Sequence, residues 1–439
     1  MMSNPVSLDS VQKEIVYSNA DNIIVAAGAG SGKTRVLTER VKRLLEEGVN
    51  PSSVVVITFT NMAAEELQER LQDVPNINKC FIGTIHSLAN KLLSSTDYSY
   101  DIFSQYYQDT YMSYLISHYA KFCTKEDYNN LVEMFKQVHL GTLDYDDLVN
   151  SFYPKVLDEL YILLGNNMQH SSLKYEDYPY DVMDLCKTNN VITFDELIIK
   201  CSEYFKNNKT SIEYLFVDEL QDIGYLEYEF LMDLNSPHNF FIGDDFQSIY
   251  AFKGGDVKIF LSLLKNPEWK AFYMTNNYRN GSIILEFANR IIKNATGIIP
   301  KQTVSKSGKV GKVQIKSKFE LSKFLSNFSG NYKTYKNWFI LTRTNKDLVY
   351  LTKQLQSHSI PCTSFKQGDI SKKEKDEALK QDAIKLLTIH TSKGLEEDNV
   401  LLFGDFPLTY TQNTKSDELK VFYVGITRAR NNLLIFNGK

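Results

Sequence analysis

The sequence of 439 residues predicts an α/β protein built on two parallel sheets with helices on both faces. Three observations lead there. Short aliphatic or β-branched runs alternate with stretches of helical periodicity, the pattern of strands joined by crossover helices. One run, Ile23-Ile24-Val25-Ala26-Ala27, feeds a turn of small residues, Gly28-Ala29-Gly30-Ser31-Gly32, after which Lys33-Thr34 opens a helical pattern through Leu45. Two further apolar runs, Tyr214–Val217 and Phe240–Gly243, end in paired acids, Asp218-Glu219 and Asp244-Asp245. Open parallel sheets bind ligands at the carboxyl ends of their strands, so these termini mark a site.

Taken in order, Leu8-Asp9-Ser10-Val11-Gln12 begins a short helix ending near Tyr17. Val54–Thr60 reads as a strand, Asn61 to about Leu71 as a helix, Phe81–Thr84 as a short strand and Ile85–Leu93 as a helix. From Ser94 to about Asn190 the texture turns rich in Tyr, Asp and Asn with helical periodicity, as in an inserted helical subdomain. After the acid-ended strands, Ala271–Thr275 begins a second α/β pattern. Its strands fall at Trp338–Thr342, Lys385–Ile389, Val400–Phe403 and Leu433–Phe436, its helices at Ser282–Lys293, Asn345–Ser357 and Asp417–Ala429. Lys301–Lys318, rich in Lys, Gly and Ser, reads as a loop and edge region, and Ser371–Lys380 as a charge-dense connector.

Composition narrows the class. A hydrophobic fraction of 43% and a charged fraction of 23% are those of a globular protein, and the net charge of −4 gives the molecule no basic signature. Any nucleic-acid contact is therefore expected in a local groove, with aromatic stacking sharing the work. The five cysteines, Cys80, Cys123, Cys186, Cys201 and Cys362, lie far apart and suit free thiols in a reducing compartment. No apolar run reaches membrane-spanning length and no signal-peptide core is seen, so a cytoplasmic location without membrane contact is expected.

The glycine-rich turn has the chemistry of a phosphate cradle. Small residues let backbone N–H groups curl around a phosphate, Lys33 reaches the β/γ-phosphates, and Thr34 can hold Mg²⁺ at a helix N-terminus. The usual pattern asks for Gly five positions before Gly32, where Ala27 stands, and a plain turn between strand and helix would look similar. The strand ending in Asp218-Glu219-Leu220-Gln221-Asp222 is expected beside the strand of this loop. There Asp218 would hold Mg²⁺ through its water shell and Glu219 would orient and deprotonate an attacking water. Gln247 is a neutral amide suited to touch a γ-phosphate or that water. Tyr250, Phe252 and Lys253 put aromatics and a cation on one loop, fit to stack and clamp a base, unless Phe252 is ordinary core.

With these segments in this order the chain resembles the UvrD/Rep-type superfamily 1 DNA helicases. Further matches are Thr58-Phe59-Thr60-Asn61, Gly83-Thr84-Ile85-His86-Ser87-Leu88, Asn277-Tyr278-Arg279, the stretch from Thr388 to Glu396, and that from Tyr423 to Arg430. The resemblance implies two RecA-like domains with ATP between them: 1A from residues 1–93 and 191–268, a helical insertion 1B at 94–190, and 2A at 269–439. Position by position, it implies that Gln12 reads adenine and Tyr278 stacks on it, while Ala27, Gly28, Ala29, Gly30, Ser31, Gly32, Lys33 and Thr34 cradle the phosphates and Mg²⁺. Arg35 would lie beside the nucleotide and Glu396 would contact the ribose. Arg279 and Arg428 would act as arginine fingers on the γ-phosphate. Phe59, Asn61, His86, Tyr250, Phe252, Lys253, Arg343, Asn345 and His390 match positions that line a single-strand channel. Arg279 alone would also read as a surface ion pair, His86 as a structural histidine, and Arg343 as the partner of a nearby acid.

Departures from the family pattern are Phe252 for Trp, Lys253 for Arg and Met62 for Lys. The largest is in length: a short connector at about 370–381 stands where full-size relatives carry subdomain 2B. The resemblance implies an ATP- and Mg²⁺-dependent translocase moving 3′ to 5′ on single-stranded DNA and acting at duplex junctions, with a monomer expected. Two other readings stay open, a DNA-stimulated translocase with little unwinding, and the ATPase subunit of a nuclease or anti-phage complex or of other replication or repair partners.

Overall fold

The computed structural model describes residues 8–102, 191–208, 210–251, 254–329, 335–364, 381–408 and 414–438. The chain forms two compact units, His86–Asn208 and the remainder, Met1–Ile85 with Lys209–Lys439. The inserted unit is wider than the 94–190 read from sequence, and nearly all of that range, with its expected helices, lies outside the described residues, as does the connector Ser371–Lys380.

In chain order, α1 spans Ser10–Tyr17, β1 Asn22–Ala27, α2 Lys33–Glu46, β2 Val54–Ile57, α3 Asn61–Leu71, β3 Phe81–Gly83 and α4 Ile85–Leu93. β4 (Asp101–Ile102) and β5 (Val191–Ile192) pair with each other, and α5 (Phe194–Asn207) follows, capped reciprocally by Thr193 and Glu196. Next come β6 (Tyr214–Val217), α6 (Tyr225–Asp233), β7 (His238–Gly243), α7 (Val257–Leu263), β8 (Lys270–Met274), β9 (Asn276–Asn277) and α8 (Ser282–Ile292). The last part holds β10 (Val304–Ser305), β11 (Lys312–Ser317), α9 (Leu321–Ser329), β12 (Trp338–Thr342), α10 (Asn345–Ser357), β13 (Cys362–Ser364), β14 (Ile384–Thr388), β15 (Glu397–Gly404), α11 (Ser416–Ile426) and β16 (Ala429–Asn437).

These strands make two six-stranded parallel sheets, β3-β2-β6-β7-β1-β8 and β11-β16-β15-β12-β14-β13. The expected fold class is thus the observed one. Two details differ. β7, not β6, is the neighbour of β1, with Val25 opposite Ile242, so the strand ending at Asp218 stands one place further away, between β2 and β7. β8, read as the start of the second domain, hydrogen-bonds to β1 as the edge strand of the first sheet, which moves the expected boundary at 268/269 past it. A parallel strand after a helix has the same sequence pattern in either sheet, so only the pairing reveals this.

Alternation sorts the second sheet's core. Phe339, Leu341, Val400 and Leu402 face one apolar cluster with α8 and α11, and Ile340, Leu401 and Phe403 face another with α9 and α10. The first of these clusters also takes in Ala29, Phe246, Ile249 and Tyr250, so loops of the first sheet and helices of the second share one core.

Candidate functional site

The loop after β1 is shaped by two glycines with positive φ. Gly30 (φ 62) could not carry a Cβ, which would lie 2.7 Å from the Cβ of Arg279. Gly32 (φ 86) precedes α2 and offers no side-chain cap, so the first N–H groups of that helix are left for a ligand. The loop is gripped from outside: the Gln12 amide donates to Ser31 O at 2.9 Å, Asn277 Nδ2 to Ala29 O at 2.7 Å, and Tyr278 N to Gly30 O at 2.9 Å.

Beyond it lie the carboxylates. Lys33 Nζ is 2.9 Å from Glu219 Oε1. Glu219 has a left-handed backbone (φ 55), rare for a residue with a long side chain and the kind of strain found at functional turns. Burial raises its carboxyl, but Lys33 and Lys393 outweigh that and hold it ionised, well below the usual range. Asp218 goes the other way: burial first, then the charge of Glu219, push it up to about 7. A carboxyl so placed is one that a divalent cation would return to its ionised form, and Thr34 follows Lys33 at the open end of α2. Thr34 and Asp218 therefore fit the expected Mg²⁺ site. Among the described residues no cluster of three or more His, Cys, Asp or Glu side chains could hold a metal by itself.

Cations reach this floor from the second sheet. Arg428, 1% exposed, donates to Gln247 Oε1 at 2.9 Å and to the carbonyls of Val424 and Leu395. Burial, followed by the charge of Arg279, brings its pKa down to about 9. Lys393, whose role the sequence reading missed, touches Asp222, sits 3.4 Å from Glu219 Oε2, and donates to Gln247 O at 3.0 Å. It lies in the segment Thr388–Glu396 that was matched as a whole, so the signal was present but unassigned. Arg279, expected at the γ-phosphate, is paired with Glu396, which also binds Arg430 at 2.8 Å. Arg279 is thus in an ion pair, though a largely buried one and not the surface pair of the alternative reading, and Glu396, expected at the ribose, is its partner.

On the nucleoside side, Gln12 is 3% exposed and uses its amide within the protein, the oxygen accepting Asp9 N and the nitrogen donating to the loop. Each end keeps one further hydrogen-bonding position, so reading adenine is compatible with this arrangement. Tyr278 is 39% exposed, and its hydroxyl donates to Asp9, which Asn276 also contacts at 3.0 Å. Arg35 follows in the first turn of α2, half-buried.

The expected single-strand channel is less uniform. Tyr250 is 4% exposed, stacks on Phe59 with ring centroids 5.0 Å apart, and donates to the His390 carbonyl at 3.1 Å. Buried in this way it supports Phe59 and offers no free ring face to a base. Arg343 makes a two-bond pair with Glu418 at 2.7 and 3.0 Å, the reading in which it pairs with an acid. His86 packs edge-on to Phe194 at 5.1 Å, as a structural histidine would. Asn61 and Asn345 are exposed at the first residues of α3 and α10, and His390 is half-buried. Phe252 and Lys253 lie outside the described residues.

Other expectations stand as follows. Cys80, Cys201 and Cys362 are unpaired, with burial pushing the first two up to about 11 and about 12, and Cys123 and Cys186 lie outside the described residues. No helix among the described residues is long and apolar enough to cross a membrane.

Comparison with known proteins agrees with these features. The family model described as UvrD/REP helicase N-terminal domain matches residues 8–268, and the UvrD-like helicase C-terminal domain matches 272–374 and 365–438. Similar proteins include a Mycoplasma pneumoniae protein named "Probable DNA helicase", 28% identical over 98% of this chain and 83% of that protein. ATP-dependent DNA helicase Rep of Buchnera aphidicola subsp. Acyrthosiphon pisum is 30% identical over 81% of this chain and 57% of its own length. ATP-dependent DNA helicase PcrA of Staphylococcus aureus is 27% identical over 81% and 50%. The chain thus spans little more than half the length of the Rep and PcrA relatives.

Proposed function

The chain belongs to the UvrD/Rep helicase family, and from that premise we propose that it is an ATP-dependent DNA helicase, a translocase that moves 3′ to 5′ along single-stranded DNA and opens duplex ahead of it. The observation that carries this reading is the hydrogen bond from buried Arg428 to Gln247, which ties an arginine of the second sheet to the amide beside the acids of the first. An arginine so connected can both stabilise charge developing on a γ-phosphate and transmit its loss to the other sheet. Lys33 and the open end of α2 would bind the phosphates, Thr34 and Asp218 would hold Mg²⁺, and Glu219 would orient water. Mg²⁺, when bound, would neutralise charge on the β- and γ-phosphate oxygens. The subdomain assignment is part of the proposal: 1A on the first sheet, 1B within the inserted unit, 2A on the second sheet.

Weak unwinding is the second reading. It is favoured by the short span between β13 and β14, residues 365–383, where a 2B subdomain would otherwise stand. Hydrolysis of ATP with and without single-stranded DNA, followed by unwinding of 3′- and 5′-tailed duplexes, separates the cases. Strong stimulation with 3′-tailed unwinding is expected; stimulation without unwinding selects the second reading, and no stimulation overturns both.

A further inference from the structure

One buried cation near the site belongs to none of the short segments singled out in the sequence. Lys301 lies in the Lys/Gly/Ser-rich stretch between α8 and β10, and its side chain is 2% exposed. Its ammonium is 2.8 Å from Asp244 Oδ1, touches Asp245, and lies 4.3 Å from the centre of the Phe246 ring. Asp245 is also held by the backbone N–H of Ile299 at 2.6 Å. The same stretch then brushes the phosphate loop, since Thr303 Cγ2 stands 2.6 Å from where a Cβ on Gly28 would be. Val304 N donates to Thr275 O at 2.9 Å and Lys306 N to Asn277 O at 2.6 Å.

Asp244 connects Lys301 to Gln247. Its second oxygen, Oδ2, accepts from Gln247 Nε2 at 2.6 Å, and Gln247 Oε1 accepts from Arg428 at 2.9 Å. A glutamine amide has one donor end and one acceptor end, and here Asp244 takes the donor end while Arg428, which can only donate, takes the acceptor end. Asp244 thus anchors the amide from one side, and Lys301 in turn anchors Asp244. Two buried carboxyl groups left without their cation would rearrange, and a displaced Asp244 carboxyl no longer anchors the Gln247 amide against Arg428. Asp245 already feels this, burial raising it and Lys301 opposing the rise.

We propose that Lys301 is a positioning residue for the hydrolysis step: by holding Asp244 it sets the orientation of the Gln247 amide and so the contact with Arg428. The proposal rests on the ATP-site reading above. Because Lys301 touches neither phosphate nor base in this argument, its loss affects turnover and leaves nucleotide binding alone.

The test is steady-state ATP hydrolysis on saturating oligothymidine, with affinity for a fluorescent ATP analogue measured separately. Lys301→Met, which keeps the volume and removes the charge, is expected to lower kcat about tenfold or more while KM and analogue affinity stay within about twofold. Combined with Gln247→Ala it is expected to add nothing to the loss from Gln247→Ala alone, because both break one chain of contacts. A merely structural lysine would instead multiply the two losses. If Lys301→Met does not give folded protein by thermal melting, Asp244→Asn takes its place with the same expectations, since an Asn amide can present either end to Gln247. Full kcat, multiplying losses, or a loss of analogue affinity equal to the loss of kcat would overturn the proposal. Glu219→Gln run alongside separates the two levels: if it keeps full activity the ATP site itself is misread, whereas its collapse beside an unaffected Lys301→Met defeats only the role of Lys301.

Discussion

The two sheets bring opposite charges to the site. The first supplies acids, Asp218, Glu219 and Asp222 after β6 and Asp244 and Asp245 after β7, with Lys33 its own cation there. The second sheet, with the chain leading into it, supplies Arg279, Lys301, Lys393 and Arg428. Three of these four cations reach across: Lys393 to Glu219 and Asp222, Lys301 to Asp244 and Asp245, Arg428 to Gln247. Arg279 alone turns back, to Glu396. Burial first, and then the charge of Glu219, push the carboxyls of Asp218 and Asp222 up to about 7 and about 6, so on its own the first sheet holds its acids at a cost. The lesson is that the acid floor is completed by the other sheet, so any ligand that changes its charge is felt there.

The sharpest way to break this comparison is at Glu219. Glu219→Gln keeps the shape and removes the charge that Lys33 and Lys393 share, so ATP should bind while DNA-stimulated turnover falls by about 10³-fold. Near wild-type turnover would mean that the acid floor has no chemical role.

Next come the two arginines, whose surroundings differ. Arg428→Ala removes a contact that crosses between the sheets and should lower kcat by about 10²-fold or more with little effect on nucleotide affinity. Arg279 has its Nε on Glu396, so in the proposed site Glu396 competes with a phosphate for its charge. Glu396→Gln should therefore free Arg279 and leave kcat at or above wild type, whereas Arg279→Ala lowers it. If Glu396→Gln lowers kcat as much as Arg279→Ala does, Glu396 contributes directly and the pair is a working unit.

What the sequence revealed of this arrangement follows how local the signal is. The phosphate loop and the paired acids were legible because each is a strand, a turn and a helix start in consecutive residues. Lys301 was not, since a lysine in a Lys/Gly/Ser-rich stretch reads as solvated and only the fold buries it between Asp244 and Asp245. The stacking of Tyr250 is hidden in the same way: an aromatic on a loop has no local mark that separates a free face from one covered by Phe59. The order of β6 and β7 is likewise a matter of pairing, which a run of apolar residues does not encode.

A gentler probe is pH. With Asp218 pushed up to about 7, a cation and a proton compete for the same carboxylate. Below that value the folded protein holds a proton that Mg²⁺ must displace, so the apparent affinity for Mg²⁺ with nucleotide should rise with pH, by up to about tenfold per unit below about pH 7, and flatten above it. Asp218→Asn should weaken Mg²⁺ binding and remove this slope. A slope that persists in Asp218→Asn would assign the proton to another group, with Asp222 the first to examine.

The smallest effect is expected where the two sheets repeat one local structure. β2 leads into Thr58-Phe59-Thr60-Asn61 and β12 into Thr342-Arg343-Thr344-Asn345, each segment ending at the first residue of a helix. In both, the first Thr hydroxyl donates to the carbonyl of the second Thr, at 2.8 and 3.0 Å, and the second Thr caps the following helix. The turn is set by the threonines, which leaves the residue between them free to differ. Phe59 is half-buried on Tyr250, while Arg343 is occupied by Glu418. Phe59→Ala should cost single-strand affinity the roughly 1–3 kcal/mol of a lost stacking platform. Arg343→Ala should leave that affinity within about twofold and lower stability by about 1 kcal/mol or less, the value of a partly exposed ion pair. Glu418→Ala decides whether the pairing hides a DNA contact: if it tightens single-strand binding, and Arg343→Ala in that background abolishes the gain, Arg343 is a phosphate ligand restrained by Glu418. If neither change moves the affinity, the second sheet uses this turn only to start α10, and base stacking belongs to the first sheet alone.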